Sequence, residues 1–297
     1  MQILVVYGGE GLTREAEVSV ASGTMVIEAA KQAGFTVSAF ELTKDNINEL
    51  SAKVRGVDVV FPALHGHFGE DGQIQQLLDK AGVKYVGSGV AASRLCWDKL
   101  LYKEKLRSAG ILTPKWWVLD NPSDIKKIVS PCVIKAIDEG SSLDMIVVRE
   151  MAELDIKAVG ELLQKRQRLL VEDYIEGTEI SVGVLDNVAL PVVEIIPPTG
   201  RWFDYQAKYS GESQELVPAL SLTDDQQLQA RDLSLVVHQL TGCRHLSRTD
   251  MIIQNDKIYA IETNTLPGLT KQSLYPKAAQ AAGYDLPALI SKLIELV

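Results

Sequence analysis

The sequence predicts an α/β chain that passes into α+β organisation, and three observations carry that expectation. Short apolar runs alternate with amphipathic stretches through the amino-terminal third, the pattern of a parallel sheet with crossover helices. The middle of the chain changes rhythm, to paired strand patterns around a Gly-Ser-Ser loop. Near the carboxyl end, two strand patterns are joined at Asn255-Asp256-Lys257, a plausible hairpin.

Ile3-Leu4-Val5-Val6-Tyr7 is an apolar run that meets Gly8-Gly9, a buried strand entering a tight turn. From about Ser19 to Ala33 the pattern is helical, with Val20, Met25, Ile27 and Ala30 as expected buried positions. Thr36 to Phe40 reads as a strand, a helical pattern follows near Ile47, and Val57 to Leu64 is another buried strand. A first boundary falls between Ser93 and Asp98. Lys99 to Ala109 reads as a helix stopped by Gly110 and Pro114. Cys132 to Lys135 and Ile146 to Val148 are strands around Glu139-Gly140-Ser141-Ser142, and Leu169 to Glu172 is a third. Glu179 to Leu185 and Leu190 to Ile196 follow, then the polar stretch Arg201 to Glu215 and further strand and helix patterns. The expected units are 1–96, 97–180 and 181–297.

With 297 residues, 46% of them hydrophobic and 23% charged, the chain has the make-up of a soluble globular protein. A net charge of −9 argues against nucleic acid and anionic membrane as partners, because no broad basic field is present. No basic leader or membrane-length apolar run is visible, so a cytoplasmic protein is expected. The widely spaced Cys96, Cys132 and Cys243 match neither a disulfide framework nor a zinc site.

The most informative stretch runs from Ser247 to Thr265. A three-residue hairpin loop would set Asp250 opposite Glu262 and Arg248 opposite Asn264, all on one face. Met251, Ile253, Tyr259 and Ile261 would then point to the other face, as core. Two carboxylates and an amide oxygen suit hard divalent cations that also take phosphate oxygens, with Arg248 available to stabilise developing charge. Read alone, the same face serves equally as a solvated hairpin surface with a cross-strand arginine–carboxylate pair. Lys135, at the end of an apolar strand before Gly140-Ser141-Ser142, has the makings of a phosphate site, although a lone Gly-Ser-Ser is more often a turn.

Glu262-x-Asn264-Thr265-x-Pro267-Gly268-x-Thr270, with Ser273-Leu274 close by, resembles the carboxyl-terminal signature of the D-alanine–D-alanine ligase family. The resemblance extends through Glu15-Ala16-Glu17-Val18-Ser19, His65-Gly66-His67-Phe68-Gly69-Glu70-Asp71-Gly72, Tyr85 to Gly89, Asp98-Lys99 through Lys103, and Phe203 to Tyr209, in family order. It implies an ATP-grasp fold with an amino-terminal Rossmann-like domain, ATP and two magnesium or manganese ions, and D-alanine as substrate. By that resemblance Asp250, Glu262 and Asn264 hold the metals. Lys99, Lys135, Ser142 and Lys208 meet the phosphates, while Glu172, Ile175 and Glu179 read adenosine. Glu15, Ser141 and Tyr209 join over the first substrate, and Arg248 with the Gly268 backbone stabilises the tetrahedral intermediate. Ser273 and Leu274 take the second substrate's carboxylate. His65 either orients the second substrate or acts as a base, or else is a hydrogen-bonded loop histidine. Tyr209 implies the dipeptide over the ester. The alternatives are a ligase for another amino-acid or hydroxy-acid pair, or a catalytically impaired ATP-binding relative. A homodimer is left open by analogy.

Four positions depart from the family pattern. Ala136 replaces proline, Leu143-Asp144 replaces Val-Gly, and Gln76 stands where glycine is common. The turn at 10–14 is also longer. A carboxylate at 144 is unfavourable beside phosphate unless it points away.

Overall fold

The computed structural model of the chain describes residues 1–9, 11–198 and 213–297. The apolar runs of the amino-terminal third become β1 (Gln2–Gly8), β2 (Thr36–Leu42), β3 (Val59–Ala63) and β4 (Lys84–Tyr85). They form a parallel sheet in the order β2-β1-β3-β4. β1 and β3 are nearly continuous apolar stretches because the sheet is covered on both faces.

The first helix, Ala16–Gln32, buries Ser19, Ser22, Gly23, Val26, Ala29 and Ala30. Val20 is exposed, contrary to the expected face, and Met25 and Ile27 are only partly buried. The reason is close approach: a Cβ on Gly23 would stand 2.6 Å from the Tyr7 side chain. A helix that near its strand needs small residues on its inner face, whatever the hydrophobic count says elsewhere. The helical pattern near Ile47 is a 3₁₀ turn, Ile47–Glu49, followed by the four-residue helix Leu50–Lys53.

The second sheet contains β5 (Trp116–Leu119), β6 (Cys132–Ala136), β7 (Met145–Val148) and β8 (Leu169–Asp173), antiparallel in the order β5-β8-β6-β7. Its core, with Leu119, Ile134, Val148 and Leu169, is covered by the helix Ile156–Arg166 through Val159 and Leu163. The helix Lys99–Ser108 leads into this sheet. Asp98 caps it, accepting from Leu100 N and Leu101 N at 2.9 Å.

The third sheet comprises β9 (Thr178–Leu185), β10 (Val188–Ala189), β11 (Val193–Ile196), β12 (Gln214–Leu216), β13 (Leu246–Gln254) and β14 (Lys257–Asn264) among the described residues. Its order is β12-β11-β9-β13-β14, with β10 paired to β9. The strand expected over 190–196 is therefore shortened to Val193–Ile196, with β10 a separate two-residue strand before it. The helix Asp224–Thr241 packs behind β9 and β13, started by a Thr223–Gln226 capping box and ended by Gly242. The helices Leu274–Ala281 and Leu286–Glu295 share a core with β1, β3 and the first helix. All three cysteines are buried and free, and no described helix is long and apolar enough to cross a membrane.

Candidate active site

The β13–β14 ribbon sets Arg248 opposite Asn264 and Asp250 opposite Glu262, as expected, but by a different route. The loop has two residues, not three: Asn255 and Asp256 both take positive φ, at 45° and 61°, and Gln254 pairs with Lys257. The missing residue is restored by a bulge, since Met251 pairs with Ala260 while Asp250 pairs with Glu262. Ile261 is the extra residue, so alternation slips there. Ala260 and Ile258 pack inward with Met251 and Ile253, whereas the expected Tyr259 and Ile261 do not.

Behind the acidic face the ribbon is fixed by hydrogen bonds. Thr249 and Thr263 hydroxyls meet at 3.0 Å, and Thr263 meets the Tyr102 hydroxyl at 2.8 Å. On the face itself, Asp250 accepts from Ser181 Oγ at 2.6 Å and from Arg248 at 2.9 and 2.8 Å. Arg248 thus pairs along its own strand rather than across the ribbon. Lys99 Nζ lies 3.9 Å from Glu262, and Asn264 Oδ1 accepts from Leu266 N at 2.9 Å. No cluster of three His, Cys, Asp or Glu side chains suited to a metal occurs among the described residues. The donor set is two carboxylates and an amide oxygen. It fits a hard cation that completes its shell with phosphate oxygens and water.

One cavity, of about 390 Å³, is lined by Lys135, Ser142, Glu172, Ile175 and Glu179 and ends at Asp250 and Glu262. Glu172 is 3% exposed and so is no surface charge at a strand end. Its carboxylate lies 3.0 Å from Lys103 and 2.9 Å from Lys135. Burial would raise the Glu172 carboxyl, but the two lysines outweigh it and hold the group below the ordinary range. Burial pulls Lys103 down to about 8. Lys103 has no site role in the sequence; its signals there are its place one helical turn beyond Lys99 and at the end of the family-like segment from Asp98.

A second cavity, of about 500 Å³, is lined by Glu15, His65, Ser141, Arg248, Gly268 and Ser273, with Leu274 beside them. It shares Lys99, Glu139 and Glu262 with the first. Glu15 is buried and accepts a short hydrogen bond from Ser141 Oγ. Gly66, at φ 75°, makes room for it, because a Cβ there would stand 2.5 Å from Glu15 Oε2. A Cβ on Gly268 would likewise meet Ser273 Oγ at 2.8 Å.

His65 is tied at both ring nitrogens. Nδ1 donates to the Leu266 carbonyl at 3.1 Å, since a carbonyl can only accept, which leaves Nε2 to accept from Ser22 Oγ at 2.9 Å. Burial takes this imidazole down to about 4. Ser22 also accepts from Leu269 N at 3.3 Å, so the histidine fastens the 266–269 turn to the first helix. Burial, with the Glu15 charge adding to it, raises the Glu70 carboxyl well above its usual range.

Asp144 turns away from the cleft, to Arg14, Lys165 and Arg166. It is absent from the lining of the first cavity, while Ser142 and Leu143 are part of it. Lys208, Tyr209 and the rest of 203–209 lie outside the described residues.

The family model described as "D-ala D-ala ligase C-terminus" matches residues 109–295, and "D-ala D-ala ligase N-terminus" matches 43–88. The chain is 39% identical to the D-alanine--D-alanine ligase of Syntrophobacter fumaroxidans, over 96% of this chain and 94% of that one. It is 36% identical to that of Desulforudis audaxviator, over 96% and 95%. Among solved structures, the D-alanine--D-alanine ligase of Bacillus anthracis complexed with ATP superposes with a TM-score of 0.84. The two are 31% identical, over 100% of this chain and 96% of that one.

Proposed function

Because the chain belongs to the D-alanine–D-alanine ligase family, we propose that its two cavities bind ATP and two molecules of D-alanine. It is an ATP-dependent, ADP-forming ligase that joins D-alanine to D-alanine for peptidoglycan precursor synthesis. The first D-alanine's carboxylate attacks the γ-phosphate of ATP, which gives an acyl phosphate and ADP. The amine of the second D-alanine then attacks that carbonyl, and phosphate leaves. The observation that carries this reading is the junction of the cavities at Lys99, Glu139 and Glu262. The phosphate end of the nucleotide cleft opens there onto a polar pocket holding Glu15 and Arg248.

In this reading Glu15, oriented by Ser141, receives the first amino acid's ammonium. Arg248 and the Gly268 backbone face the oxygen that gains charge when the second amine attacks. Ser273 and Leu274, at the start of a helix, receive the second carboxylate. Lys99, Lys135 and Ser142 lie along the phosphates, and Glu179 faces the ribose. Ile175 supplies its backbone to adenine, and Glu172 faces the ring from a carboxylate fixed by two lysines. Lys208 and Tyr209 are assigned from the family pattern alone. Divalent ions held by Asp250, Glu262 and Asn264 would neutralise charge on the transferring phosphate. No group of the chain has to become covalently attached, so positioning and charge carry the rate. The proposal also includes units at 1–96, 97–180 and 181–297, a cytoplasmic location and a homodimer.

The test is ADP release with ATP and magnesium over D-alanine, L-alanine and D-lactate. D-alanine should give the dipeptide, and chelation of magnesium should stop it. Turnover confined to another pair, or none with D-alanine, would overturn the assignment. Asp144, whose carboxylate beside phosphate would suit an impaired relative, pairs instead with Arg14, Lys165 and Arg166, which supports an active ligase.

A further inference from the structure

The loop between β6 and β7 is built from an unfavourable run of backbone angles. Ser141, Ser142 and Asp144 all take left-handed φ, at 50°, 57° and 54°. Two backbone bonds close it, Leu143 N to Gly140 O at 2.9 Å and Ala136 N to Asp144 O at 3.1 Å. Neither bond reaches the amino-terminal segment, yet Ser141 must meet Glu15 there.

What reaches it is charge. Arg14 Nη1 lies 3.1 Å from Glu139 Oε2 and 3.0 Å from Asp144 Oδ2, two carboxylates at the ends of the loop. Arg166 Nε donates to Asp144 at 2.8 Å, and its Nη2 pairs with both carboxylates. Lys165 adds bonds of 2.9 and 2.8 Å. Without Asp144, Arg14 and Arg166 would share Glu139 alone, and Lys165 would lose its carboxylate. Burial would raise the Asp144 carboxyl, but hydrogen bonds from Lys165 and Arg166 and the Arg14 charge outweigh it, down to about 2. The attachment is two-pointed, because Arg14 directly precedes Glu15 and Asp144 lies just beyond Ser141.

We propose that Asp144 is a positioning residue whose carboxylate, through Arg14, latches the 139–144 loop to the amino-terminal segment and so holds Ser141 against Glu15. The proposal rests on the ligase reading and deepens it: the latch sets affinity for ATP and the first amino acid, not the rate of the chemical step. Lys165 and Arg166 hold the carboxylate from the helix Ile156–Arg166, and Arg14 is the member that crosses to the amino-terminal segment. Arg14 is about half exposed, so the crossing is open to screening by salt.

The experiment compares Asp144→Asn, Arg14→Gln, their combination and Asp144→Glu in the full chain. Asparagine keeps the shape of the side chain and its tolerance of left-handed φ. Each single variant should raise KM for ATP and for D-alanine roughly fivefold with kcat held. The double variant should lose less than the sum of the two singles, since the Arg14–Asp144 contact is broken in both. Asp144→Glu should recover part of the loss, and sodium chloride should move the wild type toward the variants. Affinity for a non-hydrolysable ATP analogue, measured by calorimetry, should fall in the same variants. That arm reads the latch even if D-alanine proves not to be the substrate. Unchanged KM and analogue affinity in both single variants would overturn the proposal. So would additive losses in the double variant, or a fall in thermal midpoint with KM unmoved.

Discussion

In the β13–β14 ribbon, Asp250 and Glu262 stand opposite each other because a ladder of backbone bonds puts them there. In the loop between β6 and β7, Glu139 and Asp144 are held by side chains from two other parts of the chain, Arg14 and the Lys165-Arg166 pair. The ribbon's supports are neutral and buried: Thr249 with Thr263, Thr263 with Tyr102, and Ser247 with His238 at 2.7 Å. The loop's supports are full charges near solvent. One cleft is therefore built from a rigid wall fixed by register and a second wall fixed by electrostatics. The difference suits the chemistry, since metals need fixed donors whereas a wall that admits substrate must let go.

The largest expected effect tests the rigid wall. Glu262→Gln keeps size and strand propensity but removes a charge from the proposed metal donor set. Turnover should fall on the order of 10²- to 10³-fold with the thermal midpoint nearly unchanged. Activity close to wild type would show that the ribbon's acidic face is surface rather than site. A stability effect should follow at the point where the two walls meet. Lys103→Met leaves Glu172 buried with Lys135 as its remaining ion-pair partner among the described residues. Breaking such a pair outright costs about 3–5 kcal/mol, so with one lysine kept a loss of roughly 2 kcal/mol is expected in denaturant unfolding. A midpoint unmoved from wild type would mean that Lys135 alone satisfies the carboxylate.

The same contrast decides what could be read from the amino acids. The acidic pairs of the ribbon were legible because spacing along two adjacent strands is local information. Even there the two-residue turn and the bulge at Ile261 were hidden, since two errors of one residue cancelled. The inner face of the first helix was misread because hydrophobicity does not report close approach, which Gly23 and Ser22 permit. The fate of Asp144 was beyond sequence reasoning altogether. Its partner Arg14 is 130 residues away, and nothing in either neighbourhood announces the pairing. A longer separation, 201 residues, hid the tie between His65 and the 266–269 turn, and with it the proton on Nδ1.

The smallest effect separates the walls by their response to acid. His238, on the helix behind β13, is held down to about 4 by burial, as is His65. An imidazole with a folded pKa below the usual 6.5 leaves the unfolded chain binding more protons through that window. Stability is then lost as the pH falls from about 6.5 toward 4. Asp144 behaves otherwise. Its depressed carboxyl contributes stability above the ordinary 3.8 that is lost only as the pH falls through about 2. Mild acid should therefore loosen the ribbon's rear support while the latch persists, and salt should do the reverse. His238→Asn keeps a polar partner for Ser247 but no longer titrates. Its unfolding free energy should fall less than the wild type's between pH 7 and 5.5, by about 1 kcal/mol. The comparison is of slopes, because the substitution has its own cost at neutral pH. His65 and His245 continue to titrate in the variant, so part of the acid sensitivity remains. Parallel slopes would mean that the ribbon's support does not pass through a neutral imidazole at 238.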